Sequence, residues 1–307
     1  MGLTRNRLIG LASVIFVVGF LALVLAMSAW ATITQTSQVK MLATSGTLAP
    51  KGKAYVKLTA YLATRDAAST RPQKKAAPVG KVNVQFPTGT VINGASTVGC
   101  NQSEFSAPSI LASRCSASVV GSGWALINTG TVDATARDQI VGSPPACSPS
   151  DSTQYSRTWP SGTLTCVPIG ALWVRVTAYQ GGVLKNPIWK TIPGAHFNTF
   201  SKSTIILANN NSLAPLAFGG SIYNGKLTVL IPSLNGSGAG AGELIGGWVV
   251  SDFFLRLSKT NYLRSPACPS THRWSVKTTT YYSKLKGETA LPSPSSITTN
   301  TLSACRV

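Results

Sequence analysis

Apolar and polar positions alternate every second residue in several short runs along this chain. In the run Tyr55 to Leu62, Val56, Leu58, Ala60 and Leu62 share one side, while Lys57, Thr59 and Tyr61 share the other. In Trp173 to Tyr179, Val174, Val176 and Ala178 do the same. Leu227, Val229 and Ile231 form a third such face, and Trp274, Val276, Thr278 and Thr280 a fourth. Strand side chains point alternately up and down, so period two predicts half-buried strands. Val, Ile, Thr and aromatic residues fill these runs, as pleated sheets favour. Breakers separate them: Pro87-Thr88-Gly89, Ser143-Pro144-Pro145, Gly181-Gly182, Asn209-Asn210-Asn211 and Gly219-Gly220. Beyond the N-terminus no run carries a 3.6-residue apolar stripe over three turns, and residues 102–114 have room for a short helix at most. Many short strands joined by turns predict an all-β protein, an antiparallel β-sandwich built as one large or two packed sandwiches.

The stretches Val56 to Tyr61 and Val174 to Tyr179 read alike, as a trace of internal duplication or as chance reuse of a small strand alphabet. Residues 64–80 are polar and basic and predict a loop or hairpin tip. Residues 144–162 are Ser/Pro-rich and predict a second long loop. The Gly/Ala alternation from Gly236 to Gly242 lacks the spacing and the lysine of a phosphate loop and reads as a connector.

The N-terminus follows a different rule. Arg5 and Arg7 precede an uncharged apolar run from Leu8 to Met27, and Ala29-Trp30-Ala31 supplies small residues at a cleavage position. Basic start, apolar middle and small residues are the order of a secretory signal peptide. The run of 20 residues is also long enough for an uncleaved membrane anchor. Residues 1–31 are therefore expected to be a signal peptide or an anchor, and residues 32–307 one exported, secreted or cell-surface, domain.

Six cysteines, Cys100, Cys115, Cys147, Cys166, Cys268 and Cys305, all follow this segment. An even count in an exported chain points to disulfides, although six allow fifteen pairings. Proximity favours Cys100–Cys115, Cys147–Cys166 and Cys268–Cys305. No close C-x₂-C pair points to zinc, and no metal or other cofactor is expected.

Charge narrows the function. Charged residues make up 11% of the chain, far below the usual ~25%. They are one-sided, with 27 Lys and Arg against 8 Asp and Glu. Removing residues 1–31 takes away Arg5 and Arg7 and no acid, leaving a net charge of +17. Such a field attracts anionic partners in a salt-dependent way. Arg71, Lys74 and Lys75, in the 64–80 segment, are the candidate contacts to an anionic cell-envelope polymer. No motif for specific nucleic-acid recognition accompanies them, and a membrane is expected only through an uncleaved N-terminus.

Catalytic signals are sparse. No G-x-S-x-G elbow occurs. His196 and His272 each follow a proline-containing turn sequence, and the acids, Asp133 and Asp138 being the closest pair, are dispersed. The expectation is a non-catalytic binding or structural protein. An extracellular hydrolase acting on envelope polysaccharide or lipid is the alternative.

The layout carries one resemblance. Gln85-Phe86-Pro87-Thr88-Gly89-Thr90, Cys100, Cys115 and Val120-Gly121-Ser122-Gly123 lie in the first half. Tyr262 to Pro269, containing Cys268-Pro269, then Arg273-Trp274-Ser275-Val276 and the closing Cys305 lie in the second. This arrangement resembles an uncharacterised group of exported bacterial proteins, actinobacterial in character. The resemblance implies export, a β-rich body and paired cysteines, and no activity.

Overall fold

The computed structural model describes residues 33–43, 54–66, 78–93, 97–100, 115–128, 145, 157–158, 163–164, 166–167, 171–181, 190–191, 198–199, 204–208, 217–223, 225–231, 249–283 and 294–305. The first five strands are β1 (Ile33–Ala43), β2 (Tyr55–Asp66), β3 (Val79–Gln85), β4 (Val91–Ile92) and β5 (Val119–Asn128). Then come the short β6 (Arg157–Thr158) and β7 (Thr163–Leu164), the long β8 (Ala171–Gln180), and the short β9 (Lys190–Thr191) and β10 (Asn198–Thr199). They are followed by β11 (Thr204–Ala208), β12 (Ala217–Tyr223), β13 (Lys226–Leu230) and β14 (Val249–Leu257). The last are β15 (Leu263–Arg264), β16 (Arg273–Tyr282) and β17 (Ser296–Ala304). The helical content among described residues is one 3-10 turn at Ser116–Ser118. The protein is all-β, as the alternation predicts. The expected strands at 55–62, 173–179, 227–231 and 274–280 appear as β2, β8, β13 and β16. The possible helix at 102–114 and the expected signal peptide or anchor at 1–31 lie outside the described residues.

The main sheet runs β17-β16-β3-β13-β12-β11-β8-β5-β14-β2, with β1 paired to β2 along its length. Every ladder in it is antiparallel. β15 joins the start of β2 to β4. The two like stretches noted in the sequence sit on β2 and β8, which flank the central β5–β14 pair.

This sheet folds back until its two ends meet. The Val39 N–H donates to Thr301 Oγ1 at 3.1 Å, and the Met41 N–H donates to Ser303 Oγ at 3.2 Å. Thr301 Oγ1 in turn donates to the Ser37 carbonyl at 3.5 Å. Residue numbers rise together on the two strands, so β1 and β17 run in the same direction. In a parallel ladder one peptide bonds to two neighbouring residues that flank its partner. Here the Thr301 hydroxyl takes both roles, bonding to Ser37 and Val39 on either side of Gln38. Side chains thus close the edge of β1 that would otherwise be a bare row of N–H and C=O groups.

The core lies between the two halves of the folded sheet. Val39, Met41, Val56 and Leu58 from β1 and β2 meet Val84, Leu227, Trp274 and Val276 from β3, β13 and β16. Ile127, Leu172, Val174 and Leu255 extend it under β5, β8 and β14. A second cluster buries the opposite face of that central region: Tyr61, Trp124, Leu126, Trp173 and Phe254 under Leu164 and Val167. Both faces are therefore buried over Trp124 to Asn128 of β5 and over Ala171 to Val174 at the start of β8. β5 also passes very close to β14. A Cβ on Gly121 or Gly123 would collide with the backbone carbonyl of Arg256 or Phe254 respectively. Close backbone approach is a physical reason for glycine inside a strand.

Two disulfides join described cysteines, and both are pairs that proximity favours. Cys100–Cys115 spans a Cα–Cα distance of 5.4 Å and Cys268–Cys305 one of 5.7 Å. Cys166 is also disulfide-bonded, while Cys147 lies outside the described residues. Cys268–Cys305 locks the end of β17 to the approach to β16, where the Cys305 N–H also donates to the His272 carbonyl at 2.9 Å. Stable disulfides are the chemistry of an oxidising compartment.

Candidate functional site

The outer face of β17, β16, β3 and β13 is built in rows by the strand register. Asn300 pairs with Lys277, Lys277 with Gln85, and Gln85 with Lys226. All four are exposed, while Thr278, Val84 and Leu227, the next residues along, are buried on the other side. Period two therefore delivers one row of amides and ammonium groups across four strands. Lys277 and Lys226 stand two strand spacings apart, about 10 Å.

Neighbouring rows complete the face. Thr298, Thr279, Asn83 and Thr228 form the next row. Thr279 and Thr298 share a hydroxyl hydrogen bond of 3.0 Å, and Thr228 donates to Asn83 Oδ1 at 3.0 Å. Beyond it, Lys81 lies opposite Tyr281, with its Nζ 4.1 Å from the ring centroid. Lys81 and Gln85 are four residues apart on one strand, about 13 Å. The three lysines thus frame a flat polar field of Asn, Gln and Thr. Gln85 is fixed in it, because its amide nitrogen donates to the Phe86 and Gly225 carbonyls at 3.3 Å each. Gly225 can offer its carbonyl there because it holds a φ of 69° in the tight β12–β13 turn.

Further cationic side chains stand on the described surface. Lys40, Lys57, Arg175, Arg256, Lys259, Arg264 and Arg273 add to the three lysines at exposed or half-buried positions. The one carboxylate among the described side chains, Asp252, is buried at 1% exposure. It accepts hydrogen bonds from Tyr61 Oη at 2.9 Å and Ser251 Oγ at 3.0 Å. Its carboxyl is held inside and does not face solvent.

The residues singled out from sequence fall in different places. Arg71, Lys74 and Lys75 lie outside the described residues, as does His196. His272 occupies an exposed turn with a φ of 56°, its N–H donating to the Pro269 carbonyl at 2.9 Å. Among the described residues no group of three His, Cys, Asp or Glu side chains converges as a metal site would. Lys81, Lys226 and Lys277 escape a reading of the sequence because they are scattered over almost 200 positions. Only the register of three strands gathers them, although Lys277 does alternate with the buried Val276 and Thr278. No protein-family model, curated protein or solved structure matches the chain.

Proposed function

We propose that this is a non-catalytic, exported binding protein that lays the outer face of β17, β16, β3 and β13 on an anionic polymer of the cell envelope. The lysine-framed Asn/Gln/Thr row, in a chain with 27 Lys and Arg against 8 Asp and Glu, is the observation that carries this reading. Lys ammonium groups attract the polymer's charges at long range, and the fixed amides and hydroxyls satisfy its hydroxyl and carbonyl groups at contact. Tyr281 offers an apolar ring against which a sugar face can rest. The signal-like segment 1–31 and the disulfides fit a location outside the cytoplasm. In this reading Arg71, Lys74 and Lys75 add charge from the 67–77 segment.

The test uses polygalacturonate as an anionic polymer and dextran as a neutral one. The protein should bind the first and ignore the second, with affinity falling steeply as salt rises. A triple Lys81→Gln, Lys226→Gln, Lys277→Gln variant should bind at least tenfold more weakly and respond less to salt, because fewer charges release counterions. Unchanged binding by a folded triple variant would remove this face from the function.

A further inference from the structure

The exposed row Asn300, Lys277, Gln85 and Lys226 alternates across the sheet as a strand alternates along its length: amide, ammonium, amide, ammonium. Each step is one strand spacing, so the two ammonium groups are rooted about 10 Å apart, with one neutral side chain between them. The third lysine stands off this line. Lys81 lies two rows away on β3, against the Tyr281 ring. The row between is neutral throughout: Thr298, Thr279, Asn83 and Thr228.

Gln85 decides what the gap between the two lysines accepts. Its amide nitrogen donates to the Phe86 and Gly225 carbonyls. Both partners are acceptors, so the nitrogen and not the oxygen must face them. Both amide hydrogens are then committed, and the carbonyl oxygen is what Gln85 offers to a ligand. That oxygen takes a hydroxyl or an N–H and repels a carboxylate, whereas Lys277 and Lys226 on either side attract one. A ligand laid across the strands therefore meets sites for an anion, a donor and an anion in turn. We infer that the polymer held by this face is an alternating glycan, with a carboxylate on every second sugar and a hydroxyl or acylamino donor on the neutral sugar between. A pyranose unit is about as long as one strand spacing, so consecutive sugars fall on consecutive strands and the charged ones reach Lys277 and Lys226. A polymer charged on every sugar also binds, but it sets one carboxylate against the Gln85 oxygen. This selectivity rests on the face being the polymer-binding one.

Two probes test this at one ionic strength: hyaluronan, which alternates glucuronate with N-acetylglucosamine, and polygalacturonate, charged on every sugar. Hyaluronan should bind about three- to tenfold more tightly per carboxylate, the worth of one hydrogen bond made at Gln85. Asn300→Lys with Lys226→Gln keeps the number of lysines in the row and brings them from two strand spacings apart to one. Both positions are exposed, where substitutions usually leave the fold intact. The relocated variant should lose the preference for hyaluronan while holding polygalacturonate at least as tightly as the native chain. Equal affinity per carboxylate for the two polymers, or an undiminished hyaluronan preference in the relocated variant, would overturn the alternating register. The polymer-binding role fails separately, when the triple Lys81→Gln, Lys226→Gln, Lys277→Gln variant holds polygalacturonate as well as the native chain does.

Discussion

Gly123 and Tyr282 show how much a single position can decide. A methyl group on Gly123 has nowhere to go, because the Phe254 carbonyl occupies its place. Gly123→Ala should cost about 3 kcal/mol or more, since overpacking here pushes backbone against backbone. Denaturant unfolding checks it, and a cost below 1 kcal/mol would show that β5 and β14 can separate freely. Tyr282 donates its hydroxyl to Gln35 Oε1, between β16 and β1. Burial pushes its pKa up to about 12, with a hydrogen bond to Thr64 opposing the rise. Its unfolded value is 10.0, so unfolded chains ionise first as pH rises. The stability tied to Tyr282 is complete below pH 10 and is lost as pH approaches 12. Melting temperatures across that window should fall for the native chain, and Tyr282→Phe should fall less steeply. Equal slopes would remove Tyr282 as a source of the alkaline loss.

At the scale of elements, β17 sets two neighbouring threonines against each other. Thr301 bonds to Val39 and Ser37, so Thr301→Val should strand two backbone groups and cost about 1–3 kcal/mol. Thr299 Oγ1 is buried without a partner, so Thr299→Val should be neutral or stabilising, because it removes an unsatisfied group. Denaturation midpoints that shift equally for the two variants would show that the Thr301 bonds add nothing. The same seam explains where the sequence falls silent. β2, β8, β13 and β16 are legible because Val, Leu and aromatic residues mark their buried sides. β17 buries Thr301 and Ser303, and the inward side of β1 begins with Ile33, Gln35 and Ser37, so hydroxyls and an amide stand where a hydrophobic period would be sought. The period-two alternation and the cysteine spacing do carry the fold class and two bonds. The lysine face is invisible for a different reason, since it is a property of register between distant segments and not of any one segment.

For the whole molecule, covalent closure and charge act independently. Cys268–Cys305 encloses 37 residues of sequence separation, a constraint worth about 4 kcal/mol in the chain-entropy model. Replacing both cysteines by Ser should lower stability by an amount of that order while leaving polygalacturonate binding intact below the melting temperature. Loss of binding in the still-folded variant would mean that the disulfide shapes the face directly.

Closure through β1 and β17 also has a consequence in time. Val39 and Thr301 are 262 residues apart, so β1 finds this neighbour only in the distant β17. Until β17 has been made, β1 has one side open, a pairing surface exposed to any other chain nearby. A chain stopped before Ser296 should therefore accumulate as aggregates, and a chain that carries β17 should acquire the protease resistance that the shortened one lacks.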